Sequence, residues 1–203
     1  RGNDYKFRQD SNFMYFWGID EPAFAAVLDL DAGTECLYGN DVDIDDIIWM
    51  GPQPLISEKA QKVGVTKTYP LAHLDEFVGK AANQGRKVHF LPPYRYHNMI
   101  QLHRLLGIPF DQMKSCASVE FIKGVVSLRL IKEECEVAEI EKACNIGYKM
   151  HYTAMKTMKL GMVEQELVGI MEGISISEGL MPSFPIILSQ NGETLHNHSH
   201  HQI

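Results

Sequence analysis

At 203 residues, with 45% hydrophobic and 22% charged content, the chain has enough apolar material to bury a core as one large domain or two small ones. A net charge of -7 and a pI near 5.7 argue against a nucleic-acid backbone or an anionic membrane surface as the main partner. No run approaches the ~20 apolar residues that span a bilayer, and no signal-peptide pattern opens the chain, so a cytoplasmic setting is expected.

Four cysteines, Cys36, Cys116, Cys135 and Cys144, are scattered without a CxxC pair, which suits reduced thiols better than a disulfide framework or a zinc knuckle. The first residue is Arg1 rather than methionine, as expected of an expressed fragment or a trimmed product. The aromatic run Phe13–Trp17, stopped by Gly18, predicts a buried strand. Ala25–Leu30 and Glu35–Tyr38 predict two more, joined by a hairpin turn at Asp31–Thr34. Asp41–Asp46 is an acidic loop. A calcium loop would need glycine where Asp46 stands and glutamate where Pro52 stands, so a solvated loop is the expectation.

Ser57–Val63 and Leu71–Ala82 predict helices, the second with Leu71, Leu74, Phe77, Val78 and Ala81 stepping by three and four. Lys87–Leu91 predicts a strand halted by Pro92 and Pro93. His97–Leu106 predicts a helix capped by Gly107. This alternation indicates an α/β domain, and the pattern changes after Ser118. Phe121–Leu130 is apolar-rich. From Glu133 a single helix of about 38 Å is expected, with Gly161 placed to cap it. Val163–Glu178 predicts a second helix, and Phe184–Leu188 a strand. Two helices and one strand cannot enclose a core unaided.

His73, His89, His97, His103 and His151 lie inside helix or strand patterns and are expected to be structural. Four more crowd the end of the chain: His196, His198, His200 and His201. On a strand His196, His198 and His200 would share one face, and imidazole binds zinc or manganese. Asn197, Ser199 and the closing Gln202-Ile203 break the unbroken run a purification tag would show. A polar tail, a self-contained three-histidine metal site, and part of an active site completed by further chain all remain open.

Several segments, in order along nearly the whole chain, carry a resemblance. Phe7-Arg8-Gln9-Asp10-Ser11 with Phe13, Tyr15 and Gly18 resembles an "FRQDSxFxYxxG" opening. Trp49-Met50-Gly51 and Gly64-Val65 continue it. Leu128-Arg129-Leu130-Ile131-Lys132 with Glu136, Ile140 and Ala143 resembles "LRxIKxxxEIxxIxxA". Gly161, Glu164, Glu166 and Leu167 resemble "GxxExEL". Ser183-Phe184, Asn191-Gly192 and Leu195-His196 resemble "SFxxIxxxGxNxxxLHY", with Asn197 in place of the tyrosine. The chain thereby resembles the Xaa-Pro aminopeptidases and prolidases, metallopeptidases of the pita-bread, creatinase-like fold.

The resemblance implies an aminopeptidase P-like α/β domain over residues 1–123, a mixed sheet flanked by helices. Residues 124–203 would be the beginning of an α+β pita-bread catalytic domain. It implies hydrolysis of the N-terminal Xaa-Pro bond of short peptides, with no nucleic-acid or membrane partner, by a homodimer or higher homo-oligomer. Two divalent ions, manganese in many relatives, would lower the pKa of a shared water and supply hydroxide near neutral pH. The family's metal ligands, two aspartates, a histidine and two glutamates, all follow the "LHY" histidine, so none is expected in this chain and the chain alone is expected to be inactive. Only His196 is carried over, as substrate binder or oxyanion stabiliser, while His198, His200 and His201 have no counterpart. The N-terminal domain would hold no catalytic residue and would help to build the oligomer. The competing expectation is a non-catalytic dimerisation or binding module of the same fold.

Overall fold

The computed structural model describes residues 6–196, and the chain divides into two compact units, Arg1–Leu128 and Arg129–Ile203. In the first unit the aromatic run is not a strand: α1 spans Ser11–Trp17. Its ends explain the difference. The Asp10 carboxylate accepts hydrogen bonds from the Asn12 and Phe13 N–H groups at 2.9 and 3.0 Å, satisfying the donors that a helix start leaves open. At the other end Gly18 adopts the left-handed conformation (φ 65°) and its N–H closes onto Met14 O. Between these caps Phe13 and Trp17, four residues apart, pack edge to face and turn inward, whereas Met14 and Phe16 are exposed.

Strands β1 (Ala25–Asp29) and β2 (Thr34–Tyr38) pair antiparallel around the expected hairpin, from Ala25 opposite Tyr38 to Asp29 opposite Thr34. Two helices follow, α2 (Ile44–Met50) and α3 (Ile56–Lys62). β3 (Thr68–Tyr69) then adds to β2 in parallel, giving a mixed sheet in the order β1-β2-β3. The sheet's pleat divides the core. Leu37, with no exposed surface, faces Ile19, Ala60 and Val65, along with Phe13 and Trp17 of α1 and Ile56 of α3. Its neighbours Cys36 and Tyr38 point the other way, against Leu74, Val78 and Phe77. Burying one leucine of this kind contributes roughly 1.5–3 kcal/mol.

The opposite layer comprises α4 (His73–Asn83) and α5 (Tyr96–Leu106), the latter ending as expected at a left-handed Gly107. α6 (Met113–Cys116) and α7 (Val119–Leu130) complete this stretch of chain. Lys87–Leu91 is a second correction, since it joins no ladder. Phe90 O instead accepts the Ser118 N–H at 3.2 Å, which engages the segment with the start of α7 rather than with the sheet. The acidic loop is also partly helical, and its carboxylates have structural work. Asp43 Oδ1 caps α2 by accepting from Asp46 N–H at 2.9 Å, and Asp41 Oδ1 accepts from Ile56 N–H at the start of α3 at 2.7 Å.

In the second unit α8 (Glu134–Thr157) and α9 (Glu164–Ser177) form a hairpin. The ion pair of Lys149 with Glu178, and the packing of Met150 and Ala154 against Val168 and Met171, make the helices antiparallel. α8 stops at Thr157, earlier than a Gly161 cap would give; Gly161 (φ 86°) lies in the connection. Phe184–Leu188 forms no strand, because no partner ladder exists for it among the described residues; Ile186 instead buries itself on Val168 and Met171. Three helix starts share one device. Glu58, Glu136 and Glu166 each accept the backbone N–H three residues earlier, from Leu55, Glu133 and Val163.

Two outcomes follow from this packing. A Cβ built on Gly39, at the end of β2, would lie 2.8 Å from both Ile56 Cδ1 and Phe24 Cε1. Gly39→Ala should therefore cost about 1–3 kcal/mol in urea unfolding. Arg86 grips Asp29 through Nη1 and Nη2 at 3.0 and 2.5 Å. Together with the Ala32 and Asp31 N–H groups and against its partial burial, this holds the Asp29 carboxyl down to about 2. A depressed folded pKa stabilises above the unfolded value of 3.8 and loses that stability as pH falls toward 2. Asp29→Asn should lower the urea midpoint at neutral pH and flatten its fall between these two values. An unchanged acid limb would exclude Asp29 as a contributor.

Candidate functional site

The sequence directs attention to His196, and the structure places it on an exposed turn that closes the described part of the second unit. The chain reaches it from the buried Ile186, through Leu188, which packs against the same core. Gln190 N–H then donates to Glu164 Oε1 at 2.6 Å. Beyond that contact, Ser189 Oγ donates to Asn191 O, and the Thr194 N–H donates to the same carbonyl, both at 2.9 Å. Asn191 to His196 are all exposed, so the imidazole stands at the surface of the unit, where a ligand could meet it. His198, His200 and His201 lie outside the described residues.

Metal chemistry needs several donors converging on one point. Among the described residues no group of three or more His, Cys, Asp or Glu side chains could hold a metal ion. The described residues therefore supply no donor set for a two-ion centre.

The "FRQDS" opening is used for structure. Gln9 Nε2 donates to Ile19 O and Glu21 O at 3.0 and 2.9 Å, and its Oε1 accepts the Asp10 N–H at 2.8 Å. Arg95 Nη2 reaches Arg8 O at 2.6 Å, and Tyr94 donates its hydroxyl to Asp10 Oδ2 at 2.9 Å. Burial pushes the Asp10 carboxyl up, yet the Phe13, Tyr94 and Asn12 hydrogen bonds and the nearby Arg95 outweigh it and leave it lowered. Tyr15 closes the motif by donating to Leu128 O at 3.0 Å. The Gln9, Asp10 and Tyr15 side chains thus each hold a loop or a helix end.

One further cluster has the residue types of a nucleophilic site. His89 Nδ1 lies 2.7 Å from Ser118 Oγ, and Ser118 donates to Glu120 Oε2 at 3.1 Å. The backbone bond and the burial decide its role. Ser118 Oγ accepts the Phe121 N–H at 3.2 Å, the bond of a helix N-cap, while its hydroxyl lies within reach of both Glu120 Oε2 and His89 Nδ1. Ser118 is therefore the cap of α7, buried to 7% exposure. His103 is structural too: its Nδ1 lies 2.9 Å from Ile108 O, and its ring stacks on Phe110.

Residues 1–89 match the family model of the aminopeptidase P N-terminal domain. Over 197 residues the chain is 28% identical to a protein of Aspergillus fumigatus described as a "Probable Xaa-Pro aminopeptidase", covering 94% of this chain and 40% of that one. The chain thus spans well under half the length of the curated relatives it matches. In fold it is similar to aminopeptidase P from E. coli in its low-pH form, with a TM-score of 0.79 at 23% identity, over 99% of this chain and 48% of the other. A zinc-substituted form of the same E. coli protein in complex with product gives 0.78 at the same identity and the same coverage. The resemblance to the Xaa-Pro aminopeptidases therefore holds in sequence and in fold, and the α/β architecture with a small mixed sheet is that of the aminopeptidase P N-terminal domain. Among the described residues no helix is long and apolar enough to cross a membrane.

The capping role of Ser118 has a measurable signature. Ser118→Ala should lower unfolding stability by about 1 kcal/mol, the usual worth of such a cap. A serine-directed fluorophosphonate should leave the native chain unlabelled, and stoichiometric labelling at Ser118 would reverse the assignment.

Proposed function

We propose that this chain belongs to a metallo-aminopeptidase that hydrolyses the N-terminal Xaa-Pro bond of short peptides. The observation that carries this reading is collinearity. The sequence likeness covers 94% of the chain and the fold likeness 99%. In this reading residues 1–123 are the aminopeptidase P-like domain, without catalytic residues, and residues 124–203 open the pita-bread domain. The two divalent ions, manganese, would be held by residues other than those described.

The contribution of this chain is then a positioned imidazole. The amide carbonyl oxygen gains negative charge as the bond before proline is attacked, and an N–H donor aimed at that oxygen stabilises it. His196, exposed at the end of a tethered turn, supplies such a donor from its ring nitrogen. The setting is cytoplasmic, and the assembly is a homodimer or a higher homo-oligomer.

Two experiments test the reading. The 203-residue chain alone, assayed with manganese on an Xaa-Pro tripeptide, should show no turnover, because the described residues bring no donor set together. In the longer protein that contains this chain, His196→Ala should lower kcat by about 10²–10³-fold, or about 2.7–4 kcal/mol of barrier, with the unfolding midpoint little changed. Absence of any Xaa-Pro hydrolysis by that longer protein would favour a non-catalytic dimerisation or binding module. Parallel loss of stability and activity would make His196 structural.

A further inference from the structure

The turn bearing His196 is tied to its unit by a carboxylate with no role assigned above. We propose that Glu164 is a positioning residue for His196, holding through Gln190 the turn that presents the imidazole. This rests on the reading of His196 as the residue that meets substrate.

Glu164 is the first residue of α9 and is only 7% exposed. Glutamates are almost never buried to that degree without a partner, because the charged form loses its hydration. Two carboxylates stand at this helix start, and they divide the work. Glu166 performs the capping, accepting the Val163 N–H at 2.8 Å. Glu164 reaches instead across 26 residues of sequence to accept the Gln190 N–H at 2.6 Å. At 2.6 Å this is a short hydrogen bond between a backbone donor and a carboxyl oxygen.

The position of this bond along the chain gives it leverage. Upstream, Ile186 and Leu188 are fixed by apolar packing on α8 and α9. Downstream, no residue from Asn191 to His196 is buried. The Gln190 bond is thus a part-buried anchor shortly before the histidine. The Ser189 and Thr194 contacts to Asn191 O carry that anchor forward as a compact turn. A shift at Gln190 is transmitted to His196, whereas α9 retains its own cap and its packing on α8.

The test is spectroscopic and uses the 203-residue chain, so it needs no catalysis. Glu164→Leu should speed amide exchange at Gln190 by about tenfold or more and move the His196 ring resonances, while the α9 amides keep their protection. Glu164→Gln retains an acceptor oxygen in the same place and should restore Gln190 protection to within about threefold of the parent chain. Gln190→Pro removes the donor without touching Glu164 or the helix, and should move the His196 resonances as Glu164→Leu does. The proposal is overturned if Gln190→Pro leaves the His196 resonances and titration unchanged. It is also overturned if both Glu164 variants loosen α9 as much as they loosen Gln190. Failure here leaves the His196→Ala result untouched, and the reverse is equally true, so the two ideas fail separately.

Discussion

The first unit depends on the pleat of a single five-residue strand. β2 sends Leu37 to one side and Cys36 and Tyr38 to the other, and each set nucleates its own apolar cluster. A slip of one residue would exchange the two sets and leave neither cluster with partners of the right shape. Everything beside the strand reinforces that register. The hairpin fixes Asp29 opposite Thr34, and β3 locks the other edge through Leu37 and Tyr38. Gly39 then lets Phe24 and Ile56 close over the strand's end at a distance no side chain would allow.

Around this strand, charge does local work. The Arg86 fork fastens α4's exit to the hairpin, and the acidic stretch from Asp41 to Asp46 caps two helices. The same division appears in the second unit, where Glu166 closes a helix start and Glu164 reaches out to a turn. Two carboxylates two residues apart thus point to different tasks, because successive helical positions lie about 100° apart around the axis.

Much of the fold was legible because it is written in periodicity. The step of three and four through Leu71 to Ala81, the hairpin at Asp31–Thr34 and the Gly107 stop all correspond to observed elements. What escaped was decided by end groups. Phe13–Trp17 reads as a strand by its aromatic content, but Asp10 and Gly18 lie eight residues apart and cap a helix between them. Lys87–Leu91 and Phe184–Leu188 have strand composition and lack a neighbouring ladder, a fact of tertiary pairing that composition does not carry. Of the candidate site, His196 was visible through its motif. Glu164 was visible only as part of "GxxExEL", with nothing in the spacing to reveal that it reaches Gln190.

The alternation of β2 has one more consequence, in chemical reactivity. Cys36 is buried on the α4 side, and burial pushes its thiol up from the ordinary range, while Cys116, Cys135 and Cys144 are exposed. Thiolate is the reactive form, so a thiol reagent should meet three cysteines at once and the fourth only when the sheet opens. The chain carries its own stopwatch: the rate at which the last thiol is consumed times the opening of the first unit.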